Sequence, residues 1–121
     1  MMNEYMLVYK GGDPDFHKNT SPEEMGATMQ RWAEWMGKLE AQGKLVTGGA
    51  PLHFGGKRMN KDKLVTDITA SEFKELVSGY SIVKATTMEE AIELANDCPI
   101  FEAPNIEVEV REIMKLEPEN I

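Results

Sequence analysis

The sequence predicts an α+β fold in which two helices lie on one face of an antiparallel sheet. Three observations predict it. Ser21-Pro22-Glu23-Glu24 and Thr87-Met88-Glu89-Glu90 are capping boxes, and each opens a stretch with helical apolar spacing. Residues 5–9, 45–47, 79–85 and 106–114 are short apolar or alternating runs of strand character. The order is strand, helix, strand, hairpin, strand, helix, strand. Two strand–helix–strand units in one short chain are the split βαβ, or ferredoxin-like, arrangement.

In the first strand Tyr5, Leu7 and Tyr9 share one face, and Met6 and Val8 the other. Gly11-Gly12-Asp13-Pro14-Asp15 then opens a loop to about Thr20. Ser21 caps the first helix, with Pro22 at its first position. Met25, Met29, Trp32, Met36 and Leu39 form its core stripe, and Trp35 lies off that stripe. Gly43 ends it, with Lys44 beside the negative end of the dipole. Residues 45–47 are the second strand, closed by Gly48-Gly49-Ala50-Pro51. Residues 57–59 and 64–66 pair as a hairpin around Asn60-Lys61-Asp62. Residues 71–77 have the composition of a short helical turn. Residues 79–85 are a strand, and Ala91, Ile92, Leu94 and Ala95 are the apolar side of the second helix. Ile106, Val108 and Val110 face one way along the last strand, Glu107, Glu109 and Arg111 the other.

Helices cover one sheet face only, yet residues 5–9 and 80–85 are apolar on both. A bare apolar face marks an interface or a ligand groove. A two-fold homodimer with sheets packed together is the economical way to cover it.

The chain has 121 residues, 41% hydrophobic and 28% charged, which suits one ordinary folded domain spanning residues 1–121. Size scaling for such a chain gives a compact folded surface of roughly 6,600 Å² and burial of about two-thirds of the unfolded surface. A formal charge of −8 opposes binding to nucleic acid or to anionic membranes. No apolar run approaches the roughly 20 residues of a membrane span. The N-terminal residues lack the basic and apolar blocks of a signal peptide, so the expected location is cytoplasmic. One cysteine, Cys98, excludes an internal disulfide and a Cys-rich zinc site.

Lys63-Leu64-Val65-Thr66-Asp67, followed by Ser71-Glu72-Phe73-Lys74-Glu75 and Gly79-Tyr80, resembles the YCII-related, or DGPF-type, domain family. Ser21-Pro22-Glu23-Glu24-Met25, the run from Gly43 to Gly49, the run from Glu89 to Pro99, and Glu107-Val108-Glu109-Val110-Arg111 agree in order and spacing. The resemblance spans about residues 4–114. It implies a ferredoxin-like fold forming a dimeric α/β barrel. The family's Asp-Gly-Pro-Phe motif stands here as Asp67-Ile68-Thr69-Ala70, and the loss of Gly and Pro implies a more extended or differently bent path. Some members carry a helix histidine proposed to pair with an aspartate. Trp32 occupies that place, so such a mechanism does not carry over.

Several residues can carry chemistry, and each has a plainer reading. Asp67 at a strand end is a general acid or base if apolar walls bury it, and a turn carboxylate if solvated. Lys74 between Glu72 and Glu75 is a ligand cation or a solvated turn. Trp35 is a groove wall or dimer contact, whereas Trp32 belongs to the core. His53, in a Gly-rich loop with Phe54, is a proton shuttle or an exposed loop histidine, as is the isolated His17. Neither has partners at metal-ligand spacing, and no glycine pattern fits a phosphate or dinucleotide loop. Cys98 reads as structural. The expected protein is a homodimer binding a small molecule near the barrel. Tyr5, Tyr9, Trp35, His53 and Tyr80 would line the pocket, Asp67 would be the acid or base of any chemistry, and no cofactor or metal is expected. The alternative is a non-catalytic interaction domain with a filled barrel. A relative of the dimeric-barrel monooxygenases or haem enzymes is a third reading that fold alone does not license.

Overall fold

The computed structural model describes residues 1–68 and 74–117. Its elements are β1 (Asn3–Lys10), α1 (Phe16–Asn19), α2 (Pro22–Ala41), β2 (Leu45–Pro51), β3 (Lys57–Met59), β4 (Val65–Asp67), β5 (Val77–Ala85), α3 (Met88–Asn96) and β6 (Glu107–Glu112), with a 3-10 turn over Pro99–Glu102. The main sheet has the order β2-β5-β1-β6 and every neighbouring pair is antiparallel. That order is compatible with the ferredoxin-like split βαβ arrangement. Strands β2 and β6 are its two edges, so the sheet is open rather than closed into a barrel.

The helix starts follow from their caps. Ser21 Oγ accepts from the Glu24 N–H at 3.1 Å, and Thr87 Oγ1 accepts from the Glu90 N–H at 3.1 Å, each satisfying an orphan donor of a first turn. Gly43 follows α2 at φ 69°, the left-handed conformation that ends helices. The expected loop to Thr20 contains the one-turn helix α1, because the backbone N–H of Asn19 reaches the Asp15 carbonyl at 3.0 Å. Residues 69–73, which include the last two positions of the degenerate motif and much of the expected helical turn, lie outside the described residues.

Alternation fixes the core. Tyr5, Leu7 and Tyr9 of β1 and Ser81, Val83 and Ala85 of β5 are buried under Trp35 and Leu39 of α2, Ala91 and Ala95 of α3, and Cys98. Val108 and Val110 of β6 pack against the same cluster. Trp35 Nε1 donates to the Leu94 carbonyl at 3.1 Å and joins the two helices. The tryptophan assignment is reversed from the sequence expectation. Trp35 is 5% exposed and central, while Trp32 is only partly buried. The seam runs along Trp35 and Leu39, one turn apart; Trp32 and Met36 flank it, and Met29 is exposed. Ile92 is likewise turned outward rather than into the core.

Gly49 has φ 75°, and a Cβ there would fall 1.6 Å from the Tyr80 carbonyl oxygen. Glycine therefore lets the irregular β2 edge pair with β5 at all.

The chain exposes 8542 Å². A compact monomer of this mass exposes roughly 6,600 Å². The β3–β4 hairpin forms a two-stranded sheet of its own and all its strand residues are exposed, while Met6, Val8, Tyr80 and Ile82 on the sheet face opposite the helices are partly buried.

Candidate functional site

Strand parity sends Met6, Val8, Tyr80 and Ile82 to the face without helices. Met6 is directly opposite Ile82, and Val8 opposite Tyr80, so the four form one apolar block on the two central strands. Charges border it. Glu4 is opposite Lys84, and Arg111 and Glu109 of β6 are opposite Met6 and Val8. Lys10 closes one end, with its Nζ 3.0 Å from Glu75 and 3.2 Å from Glu109. Hydrogen bonds to Glu75 first and Glu109 second hold the Lys10 ammonium above the usual lysine range. An apolar centre with a charged rim is the pattern of a binding surface.

On the covered side lies a buried polar chain. Tyr9 Oη donates to Ser81 Oγ at 2.7 Å, and Ser81 Oγ donates to the Gly48 carbonyl at 2.8 Å. With both those protons committed, the 3.5 Å contact between Cys98 Sγ and Tyr9 Oη is one in which the thiol donates. The Tyr9 ring meets Trp32 edge-on at 5.8 Å. Burial pushes the Tyr9 phenol far above its ordinary range, and burial likewise pushes the Cys98 thiol up. Cys98 is therefore a protonated, satisfied core thiol. Above it, α2 and the 3-10 turn bound a cleft of about 480 Å³ whose lining includes Trp35, Cys98, Lys38 and Asp97. Arg31 crosses this cleft and grips Glu102 through Nε at 2.8 Å and Nη2 at 2.6 Å.

The buried phenol makes a prediction. An unfolded tyrosine releases its proton near pH 10, while folded Tyr9 keeps it, so the folded state holds more protons above that pH. Stability is then independent of Tyr9 below about pH 10 and falls above it, by up to about 1.4 kcal/mol per pH unit. Tyr9→Phe, which costs about 1–2 kcal/mol near neutrality by removing the hydrogen bonds to Ser81 and Cys98, is expected to flatten this alkaline loss in thermal melts. An unchanged alkaline profile in the variant would contradict the assignment.

The six residues expected to share one pocket are not brought together within a chain. Tyr5 and Tyr9 are 2% and 3% exposed beneath the helices, with Trp35 against them in the core cluster. Tyr80 is on the opposite sheet face. His53 is exposed in the segment between β2 and β3. Asp67 ends β4 with its side chain 75% exposed and its Oδ1 bonded to Lys57 Nζ. The Lys74 side chain is exposed, and its expected neighbour Glu75 binds Lys10 instead. Sequence reasoning missed the Tyr9–Ser81–Cys98 chain and the Lys10 and Arg31 ion pairs. Parity of residues 9 and 81 could have suggested the first. Nothing in the sequence connects Arg31 to Glu102, 71 positions apart. Among the described residues no group of three or more His, Cys, Asp or Glu is placed to hold a metal ion, and no helix is long and apolar enough to cross a membrane.

Fold and site define an α+β protein with one roofed and one open face on a four-stranded antiparallel sheet. The chain belongs to the YCII-related domain family, whose model matches residues 5–117. Comparison with curated proteins finds no match.

Proposed function

We propose that the protein is a homodimer whose two open sheet faces oppose each other and enclose a chamber for a small molecule. The observation that carries this reading is the Met6, Val8, Tyr80 and Ile82 block on the face opposite the helices. The excess surface supports it. The chain exposes 8542 Å², roughly 1,900 Å² beyond a compact monomer, and a standard stable interface needs about 800 Å² per partner. Tyr80 and the Lys10–Glu75–Glu109 cluster lie at that face inside the charged border, and they give the chamber a phenol and hydrogen-bonding groups with which to hold a polar ligand.

Asp67 is the acid or base that the sequence nominates for any chemistry. Its exposure and its pairing with Lys57 favour the second reading, a non-catalytic interaction domain with a filled interior. A thermal-shift screen of small anionic and polar metabolites tests the proposal. A ligand present at 100 times its Kd raises stability by about 2.7 kcal/mol, and Tyr80→Ala is expected to abolish that shift. Absence of any stabilising compound, or a shift indifferent to Tyr80, would remove the ligand half of the reading.

A further inference from the structure

The β3–β4 hairpin forms a two-stranded sheet apart from the main sheet. All six of its strand residues are exposed, and so is Leu64 beside them. Met59 is directly opposite Val65, and the two are 62% and 54% exposed, a cross-strand apolar pair left in water. An isolated two-stranded hairpin is marginal in water and needs a further surface to pack on. The tip is nonetheless well formed. Asn60 Oδ1 accepts from the backbone N–H groups of Asp62 and Leu64 at 2.9 and 3.0 Å, which fixes the turn before any partner arrives.

The arm also reverses the charge of the molecule. Lys57, Arg58, Lys61 and Lys63 stand against Asp62 and Asp67, a net +2 over residues 57–67 in a chain of net −8, so the remainder carries −10. Its complement lies on the acidic body. A groove of about 400 Å³ runs between α3 and the edge strand β6, lined by Met88, Ile92, Ala95, Phe101, Val108 and Val110. Ile92 and Phe101 are each 51% exposed there. Glu89 and Glu93 adjoin Met88 and Ile92 along α3 and are exposed, and Glu112 follows Val110 on the same face of β6. An apolar groove flanked by carboxylates thus matches an apolar arm flanked by ammonium groups.

We propose that the β3–β4 arm of one copy docks in the α3–β6 groove of a second copy, with Met59 and Val65 in the groove and Lys61 and Lys63 against Glu89 and Glu93. This contact is separate from the open sheet face and stands whether or not that face dimerises. A preformed turn keeps the ordering cost of docking low, and the opposed charges fix register and disfavour like-charged partners.

A charge swap tests it, read by sedimentation and light scattering at low ionic strength in an Ile82→Asp background, which removes the sheet-face contact. Self-association is expected to persist in that background and to weaken with added salt. Lys61→Glu/Lys63→Glu and Glu89→Lys/Glu93→Lys are each expected to weaken it by about tenfold or more, and the two pairs combined to restore it. All four positions are exposed, so the fold is retained, and circular dichroism checks this. Met59→Ser/Val65→Ser is expected to weaken association without a salt dependence of its own. The proposal is overturned if the Ile82→Asp protein is monomeric at every concentration, if either charge pair is without effect, or if the combined swap stays as weak as its halves. None of these results bears on the sheet-face dimer, whose loss is already built into the background.

Discussion

Trp35→Ala is expected to lower the free energy of unfolding by about 3–5 kcal/mol, a large part of the roughly 5–15 kcal/mol that holds a domain together. The indole is 5% exposed, packs edge-on against Trp32 at 5.7 Å, and donates to the Leu94 carbonyl at 3.1 Å. Alanine removes the contact between α2 and α3 together with the side chain that fills the space between them, and α2 cannot close the gap while its other end is held through Leu39. Trp35→Phe keeps most of the volume and loses the hydrogen bond, so a smaller cost is expected. Trp32→Ala is the internal control, because that ring is only partly buried. Urea unfolding checks the order. A larger loss for Trp32→Ala than for Trp35→Ala would contradict the placement of the core seam.

Ile82→Asp is expected to convert the protein from a dimer to a species about half that mass at micromolar concentration and moderate salt, where the charge-dependent arm contact is screened. Ile82 sits opposite Met6 at the middle of the open face and is partly buried in the single chain. In a lone chain the new carboxylate meets water, and the fold loses little. Between two sheets the same carboxylate is buried without a partner, twice over because of the two-fold axis. An unpaired buried charge costs several kcal/mol, enough to dissociate an interface of ordinary size. Lys84→Ser on the charged border, where the partner Glu4 is only partly buried, is expected to leave the mass unchanged. An Ile82→Asp protein still dimeric at moderate salt, with native circular dichroism, would place the interface elsewhere.

Local chemistry was legible in the sequence wherever a few neighbouring residues decide the outcome. Ser21 and Thr87 cap their helices, Asn60 turns the hairpin, and apolar residues on both sides of residues 5–9 and 80–85 foretell the unroofed face. The hairpin strands are displaced by a single residue in β4, because the tip takes Lys63 in the left-handed conformation at φ 68°. Longer-range questions were not legible. Whether Trp32 or Trp35 heads the seam depends on how α2 lies across the sheet, which a spacing of three and four residues does not specify. The sequence groups Tyr80 with Tyr5 and Tyr9 as pocket-lining residues, but register puts Tyr80 opposite Val8, on the other face. Asp67 does end a strand, yet that strand belongs to a separate two-stranded sheet and its carboxylate is exposed. The deep position of Cys98 against Tyr9 joins residues 89 apart. Chain proximity gives no warning of such a contact, and neither does composition.

A second copy of the chain is expected to cover the face bearing Met6, Val8, Tyr80 and Ile82. Light scattering on the eluting peak of the unmodified protein, at moderate salt and micromolar concentration, tests this most directly. The expected mass is at least twice 13.6 kDa. A mass of 13.6 kDa across that range, with the fold intact, would contradict it.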